Sequence, residues 1–111
     1  MNTELVKKSS SYINGSWVLS NEKISIKNPA NPKKYIKEIY FASPQNAKDS
    51  IVSASNAFKH WRTESIDKRI TLLKDLMYFI EKKRKPLSQL ITLENGKTIK
   101  ESEAEVDASI I

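Results

Sequence analysis

The 111-residue chain contains no cysteine. That absence excludes a disulfide scaffold, a thiolate metal site, a redox CxxC pair and any thiol nucleophile within these residues. It also argues against a small secreted domain, which would need such staples. Glycine is nearly as scarce, with two residues, Gly15 and Gly96. A glycine-rich turn that cradles phosphates cannot be assembled from them. There is one histidine, and aromatic residues make up 8%. No run approaches the roughly 18 consecutive apolar residues that span a bilayer. The opening MNTELVKKSSSYING lacks an apolar stretch of signal-peptide length. These absences point to a soluble, cytoplasmic protein without membrane partners.

What is present is charge and a modest apolar content. The formal net charge is +6, from 19 basic and 13 acidic residues. It is uneven: seven basic side chains face three acidic ones over 1–44, ten face six over 45–96, and two face four over 97–111. Such a balance permits attraction to polyanions without demanding it. Apolar residues make up 39%, under the roughly 45–50% of self-sufficient domains. Area scaling for this mass gives about 6,200 Å² folded against about 18,400 Å² unfolded, enough for one small domain with a thin core.

The first block has strand character. Tyr12-Ile13-Asn14-Gly15-Ser16-Trp17-Val18 places aromatic and β-branched residues around an Asn-Gly pair, which supplies the positive φ values of a two-residue hairpin. Ile24-Ser25-Ile26-Lys27 alternates as a half-buried strand does. Asn28-Pro29-Ala30-Asn31-Pro32 stops it, because proline removes a donor and restricts its predecessor. Tyr35 to Phe41 is the third strand. Trp17, Tyr35 and Tyr40 are expected in core or cross-strand packing.

From Ser43 the period becomes helical. Ser43 suits an N-cap and Pro44 the first helical position. Ala47, Ile51, Ala54, Phe58 and Trp61 follow at steps of four and three, one continuous apolar stripe. A second helix starts at Ser65 with Ile66, Ile70, Leu73, Met77 and Ile80, widened by Leu72, Leu76 and Phe79. Lys82-Lys83-Arg84-Lys85 closes it, where cations complement the helix dipole. The rival reading is a phosphate-binding patch on nucleic acid. Pro86 restarts a helix, and Gly96 fits its left-handed end. Thr98 with Glu101 forms a capping box. Glu103, Glu105 and Asp107 add negative charge to the helix that follows. Ile99, Val106 and Ile110 begin an apolar stripe there, and the helix is expected to continue past Ile111, so that the chain ends inside an element.

Several of these pieces, in this order, resemble the N-terminal part of the NAD(P)-dependent aldehyde dehydrogenases. They are the Tyr12–Val18 hairpin, Asn28-Pro29-Ala30, Ala57-Phe58-Lys59-His60-Trp61, Arg69, Leu93-Glu94-Asn95-Gly96-Lys97 and Glu105-Val106. The likeness covers 12–111, and the Leu-Glu-Asn-Gly-Lys stretch is similar to the succinate-semialdehyde branch. It implies an α/β fold in which these strands and helices wrap a Rossmann-like coenzyme domain and face a parallel sheet formed by later sequence. The chain is then a single incomplete domain over 1–111: a flexible tail over 1–11, strands in a hairpin or meander over 12–42, and three to four helices over 43–111.

The resemblance further implies oxidation of an aldehyde to a carboxylic acid through a cysteine thiohemiacetal, with NAD or NADP as cofactor. The partners it implies are the remainder of the chain, a small-molecule aldehyde and further copies in a homo-oligomer. Thiolate, general base and pyrophosphate cradle lie outside the matched residues. No catalytic or cofactor-binding residue is therefore expected here, and the chain alone should be inactive and bind no cofactor. The resemblance also implies that Glu105 matches an acidic position that, in some members, helps hold a structural monovalent cation together with backbone carbonyls around Ile26 and Lys27. Hard cations do favour such oxygens. The alternative is that Glu105 only solvates its helix. His60 has no matched nucleophile and is placed beside the stripe facing solvent. Glu101 and Glu105 share a helical face, explained by a helix start. A reading from a different class is a small basic α+β module binding nucleic acid or an acidic partner.

Overall fold

The computed structural model describes residues 10–110. Two antiparallel hairpins come first. β1 (Ser11–Ile13) pairs with β2 (Ser16–Val18), placing Tyr12 opposite Trp17. The turn residues Asn14 and Gly15 have φ of 48° and 76°, the left-handed pair this hairpin requires. The Tyr12 and Trp17 rings lie 5.0 Å apart at 60°, a cross-strand aromatic contact.

β3 (Lys23–Asn28) pairs with β4 (Asn31–Tyr40). The expected third strand at Tyr35 therefore starts earlier, at Asn31, and Pro29-Ala30 is the whole turn. Asn28 Oδ1 accepts from the Ala30 N–H at 2.9 Å, an Asx turn that closes it. Pro32 is tolerated because pairing jumps from Asn28↔Asn31 to Lys27↔Tyr35, so Pro32-Lys33-Lys34 stands out of the ladder. The hairpins form two separate two-stranded sheets, not a continuous meander. Tyr40 is half-buried, whereas Tyr35 is exposed and not in a core. Of the expected tail, 1–9 lie outside the described residues, and Ser11 belongs to β1.

Four helices follow. α1 (Pro44–Trp61) begins with a reciprocal cap: the Asn46 N–H donates to Ser43 Oγ at 3.1 Å, and the Ser43 N–H to Asn46 Oδ1 at 3.0 Å. α2 (Ile66–Lys82) is capped by Ser65, which accepts from the Lys68 N–H at 3.2 Å. α3 (Arg84–Asn95) starts one residue later, sharing Lys83 as a joint. Pro86 thus sits inside the first turn of α3 instead of opening it, where its missing N–H costs nothing. Gly96 ends α3 with φ 80°. α4 (Ile99–Ala108) carries the Thr98–Glu101 capping box.

The expectation that this last helix runs on past Ile111 does not hold for the described residues. α4 closes at Ala108, where the Ser109 and Ile110 N–H groups turn back to Val106 and Asp107 carbonyls.

The buried interior is small and lies between α3 and α4. Leu93 and Val106 are its apolar members, and Ser88 and Ser102 its fully buried polar ones. The serines let the helices approach closely, and each is satisfied. Ser88 Oγ donates to the Arg84 carbonyl at 2.8 Å, and Thr92 Oγ1 donates to Ser102 Oγ at 2.9 Å. The accessible surface is 8681 Å², against about 6,200 Å² for a compact monomer of this mass. The extents of 49 × 36 × 18 Å describe a slab.

Candidate functional site

Three places in the slab carry chemistry-bearing side chains. The first is an open groove of about 410 Å³ where the β1–β2 tip meets α1, lined by Asn14, Asp49, Ser53, Asn56 and His60 among others. Asp49, Ser53 and His60 share this wall because they recur at helical spacing. They are not a catalytic relay: among the described residues no hydrogen bond joins them, and Asp49 Oδ1 accepts from Gln45 Nε2 at 2.8 Å. His60 is exposed, as its position in the sequence implied. The groove itself was not legible, since it depends on where the Asn14 turn lands.

The second place is the seam of α3 and α4. Arg84 reaches across it: Nε and Nη2 donate to Asp107 Oδ1 and Oδ2 at 2.5 and 2.8 Å, with Glu103 at 3.6 Å. The fork holds the Asp107 carboxyl below its ordinary range and raises the guanidinium. Glu101 is lowered too, chiefly by the Thr98 backbone N–H. The basic run Lys82–Lys85 is thus partly engaged within the fold, since Lys82 also lies 4.6 Å over the Tyr78 ring. Nothing here favours a nucleic-acid surface. Glu105 Oε1 pairs with the Lys97 ammonium, so the carboxylate expected beside a cation already has a cationic neighbour. Glu101 and Glu105 do not act as a pair, because Glu101 is committed to the Thr98 cap.

The third place is the open apolar surface. Every residue of the α1 stripe is exposed, including Ile51 at 68%, Phe58 at 59% and Trp61 at 41%. The half-buried positions of α1 are instead Asn46, Ser50 and Ser53. The helix therefore turns its polar side inward and its apolar side out. α2 differs in part: Met77 and Ile80 are half-buried, whereas Leu73 and Phe79 stay open at 55% and 63% exposure. Large apolar side chains left open along a helix face are the mark of a surface that binds a partner.

Two sequence pieces separated by more than sixty residues meet at one point. A Cβ on Gly96 would lie 3.0 Å from Pro29 Cγ, so the β3–β4 turn rests on the end of α3. The described residues do not fit a dinucleotide. Both glycines are spent on turns, no parallel strands occur, and the N-termini of α1, α2 and α4 are closed by their own Ser or Thr caps. No cluster of three or more potential metal-ligating His, Cys, Asp or Glu side chains occurs among the described residues. None of the helices is long and apolar enough to cross a membrane among those residues.

Two antiparallel hairpins followed by four helices, with an uncovered apolar face, make up the α/β arrangement of the described residues. Residues 17–111 match the aldehyde dehydrogenase family, and the chain belongs to it. Malonate-semialdehyde dehydrogenase 2 of Shouchella clausii is 32% identical over 99% of this chain. The Bacillus subtilis malonate-semialdehyde dehydrogenase is 30% identical over 95%. Among solved structures, a betaine aldehyde dehydrogenase from Staphylococcus aureus in complex with NAD+ superposes with a TM-score of 0.86 at 32% identity, covering 96% of this chain. The chain spans 22–23% of the length of these relatives, and it corresponds to an N-terminal portion of the family fold.

Proposed function

We propose that this chain is the supporting N-terminal portion of an NAD(P)-dependent enzyme that oxidises a small aldehyde to a carboxylic acid in the cytoplasm, as a homo-oligomer. The observation that carries it is the family match over 17–111 in a chain with no cysteine and no phosphate cradle. The names of the relatives suggest a semialdehyde as substrate. In this reading a nicotinamide cofactor would be held, and would supply hydride-accepting chemistry, through residues other than these, and the residues described here do none of the covalent chemistry. They contribute a wall whose apolar helices α1 and α2 back the remainder of the enzyme. The purified chain should therefore reduce neither NAD+ nor NADP+ with malonate semialdehyde or betaine aldehyde. Turnover that survives removal of trace enzyme overturns the assignment.

The same reading keeps Glu105 as a candidate oxygen ligand for a monovalent cation. Its Oε1 is engaged by Lys97, which leaves Oε2 for the ion. A melting temperature that rises with sodium or potassium but not with a bulky organic cation, and loses that dependence in Glu105→Gln, supports the site. An unchanged dependence in the variant reduces Glu105 to the ion partner of Lys97.

A further inference from the structure

α2 has two different sides. Met77 and Ile80 are half-buried, on the side that packs against α3 and α4. Leu72, Leu76 and Phe79 remain 46%, 53% and 63% exposed. These three follow one another at steps of four and three, and the same line extends back three residues to Arg69. Arg69 is the only charged side chain on that line. Its Nε is withdrawn from solvent, yet it has no hydrogen-bond partner among the described residues. A buried donor left unpaired carries its full desolvation penalty, and a charged one carries more. An apolar band with one unsatisfied cationic donor at its end has the form of an incomplete interface, since interface anchors combine apolar burial with a paired arginine.

Resting on the reading of the chain as part of an aldehyde dehydrogenase, we infer that the Arg69–Leu72–Leu76–Phe79 line docks the remainder of the dehydrogenase polypeptide, and that the docking segment presents a carboxylate to Arg69 Nε. Three observations choose this occupant. The fold superposes on a relative in which it makes up 22% of the chain, so the arrangement is compatible with a much larger body around it. A second copy packed line against line about a two-fold axis would bring no carboxylate from the line, which contains none. A carboxylate also matches the planar donor fork of arginine better than a neutral oxygen does.

The test is a graft in which residues 1–111 replace the matching portion of the Staphylococcus aureus betaine aldehyde dehydrogenase. Soluble graft that reduces NAD+ with betaine aldehyde is expected, and an insoluble or inactive graft overturns the underlying reading. Within an active graft, Arg69→Leu should lower the melting temperature because it strands a buried carboxylate, and Arg69→Lys should recover part of the loss. In the isolated chain, where Arg69 Nε has no partner to lose, Arg69→Leu should not lower the melting temperature and should raise it if the unpaired donor carries its desolvation penalty there. Should the leucine variant fail to fold, the unmutated graft still decides. Arg69 should react with phenylglyoxal more slowly there than in the isolated chain, read by peptide mass spectrometry. An active graft whose melt ignores Arg69→Leu, or in which Arg69 reacts as fast as in the isolated chain, overturns the carboxylate contact while leaving the family reading intact.

Discussion

Gly96 does two jobs at once. Its φ of 80° ends α3 in the left-handed region, and its missing side chain lets Pro29 approach to 3.0 Å of where a Cβ would stand. The helix-ending role was legible from the sequence, because glycine after an apolar-periodic stretch has that meaning. The contact with Pro29 was not, since no local pattern says which turn will rest on which helix end. The two roles separate by mutation. Gly96→Ala should cost about 1–2 kcal/mol for the left-handed conformation alone, plus the clash with a stiff ring. Combining it with Pro29→Ala should recover the clash but not the conformational part. Denaturant melts of the two single variants and the double variant measure this, and strict additivity would show that the turn does not press on Gly96. His60 illustrates the opposite case: composition made it conspicuous, and its surroundings make it ordinary.

Among the elements, the helices were the more readable. Ser43, Ser65 and Thr98 each accept the backbone bond their position implied, because capping is local chemistry. The errors fell where non-local geometry decides. Pro32 marked a strand boundary by rule, yet the strand passes it through an irregular stretch of pairing. α4 was expected to run on and stops at Ala108. What holds α4 to α3 is partly ionic, which gives a pH signature. The Asp107 and Glu101 carboxyls are lowered in the folded chain by Arg84 and by the Thr98 cap. A lowered carboxyl contributes stability that is present above its unfolded value and lost as pH falls through its folded value. From ordinary values of 3.8 for aspartate and 4.5 for glutamate, the loss should begin below about pH 4.5 and deepen as acidification continues. Helical signal followed by circular dichroism should decline in that window, and Asp107→Asn should remove part of the decline. A variant with the unaltered acid profile would show that the Arg84 fork contributes nothing.

At the scale of the whole molecule, the apolar stripe of α1 lies on one face and the broader one of α2 divides between a half-buried and an open side, but a stripe does not say what will cover it. Here little in the chain does, and the interior reduces to the α3–α4 seam. The isolated chain should therefore bind a hydrophobic dye and self-associate, as judged by fluorescence and sedimentation. A monodisperse monomer with a sharp cooperative melt and no dye binding would mean that the open faces close among themselves. The open faces also set a clock. Aligned over 112 residues at 23% coverage, the relatives run to some four times this length. At ribosomal speeds of about 5–20 residues per second, a polypeptide of that size needs roughly 20–75 s more after these helices have emerged. In a polypeptide of that length Ile51, Phe58 and Phe79, exposed in this fold, would stand in water throughout that interval, so these helices would be at their most adhesive while the rest was still being made.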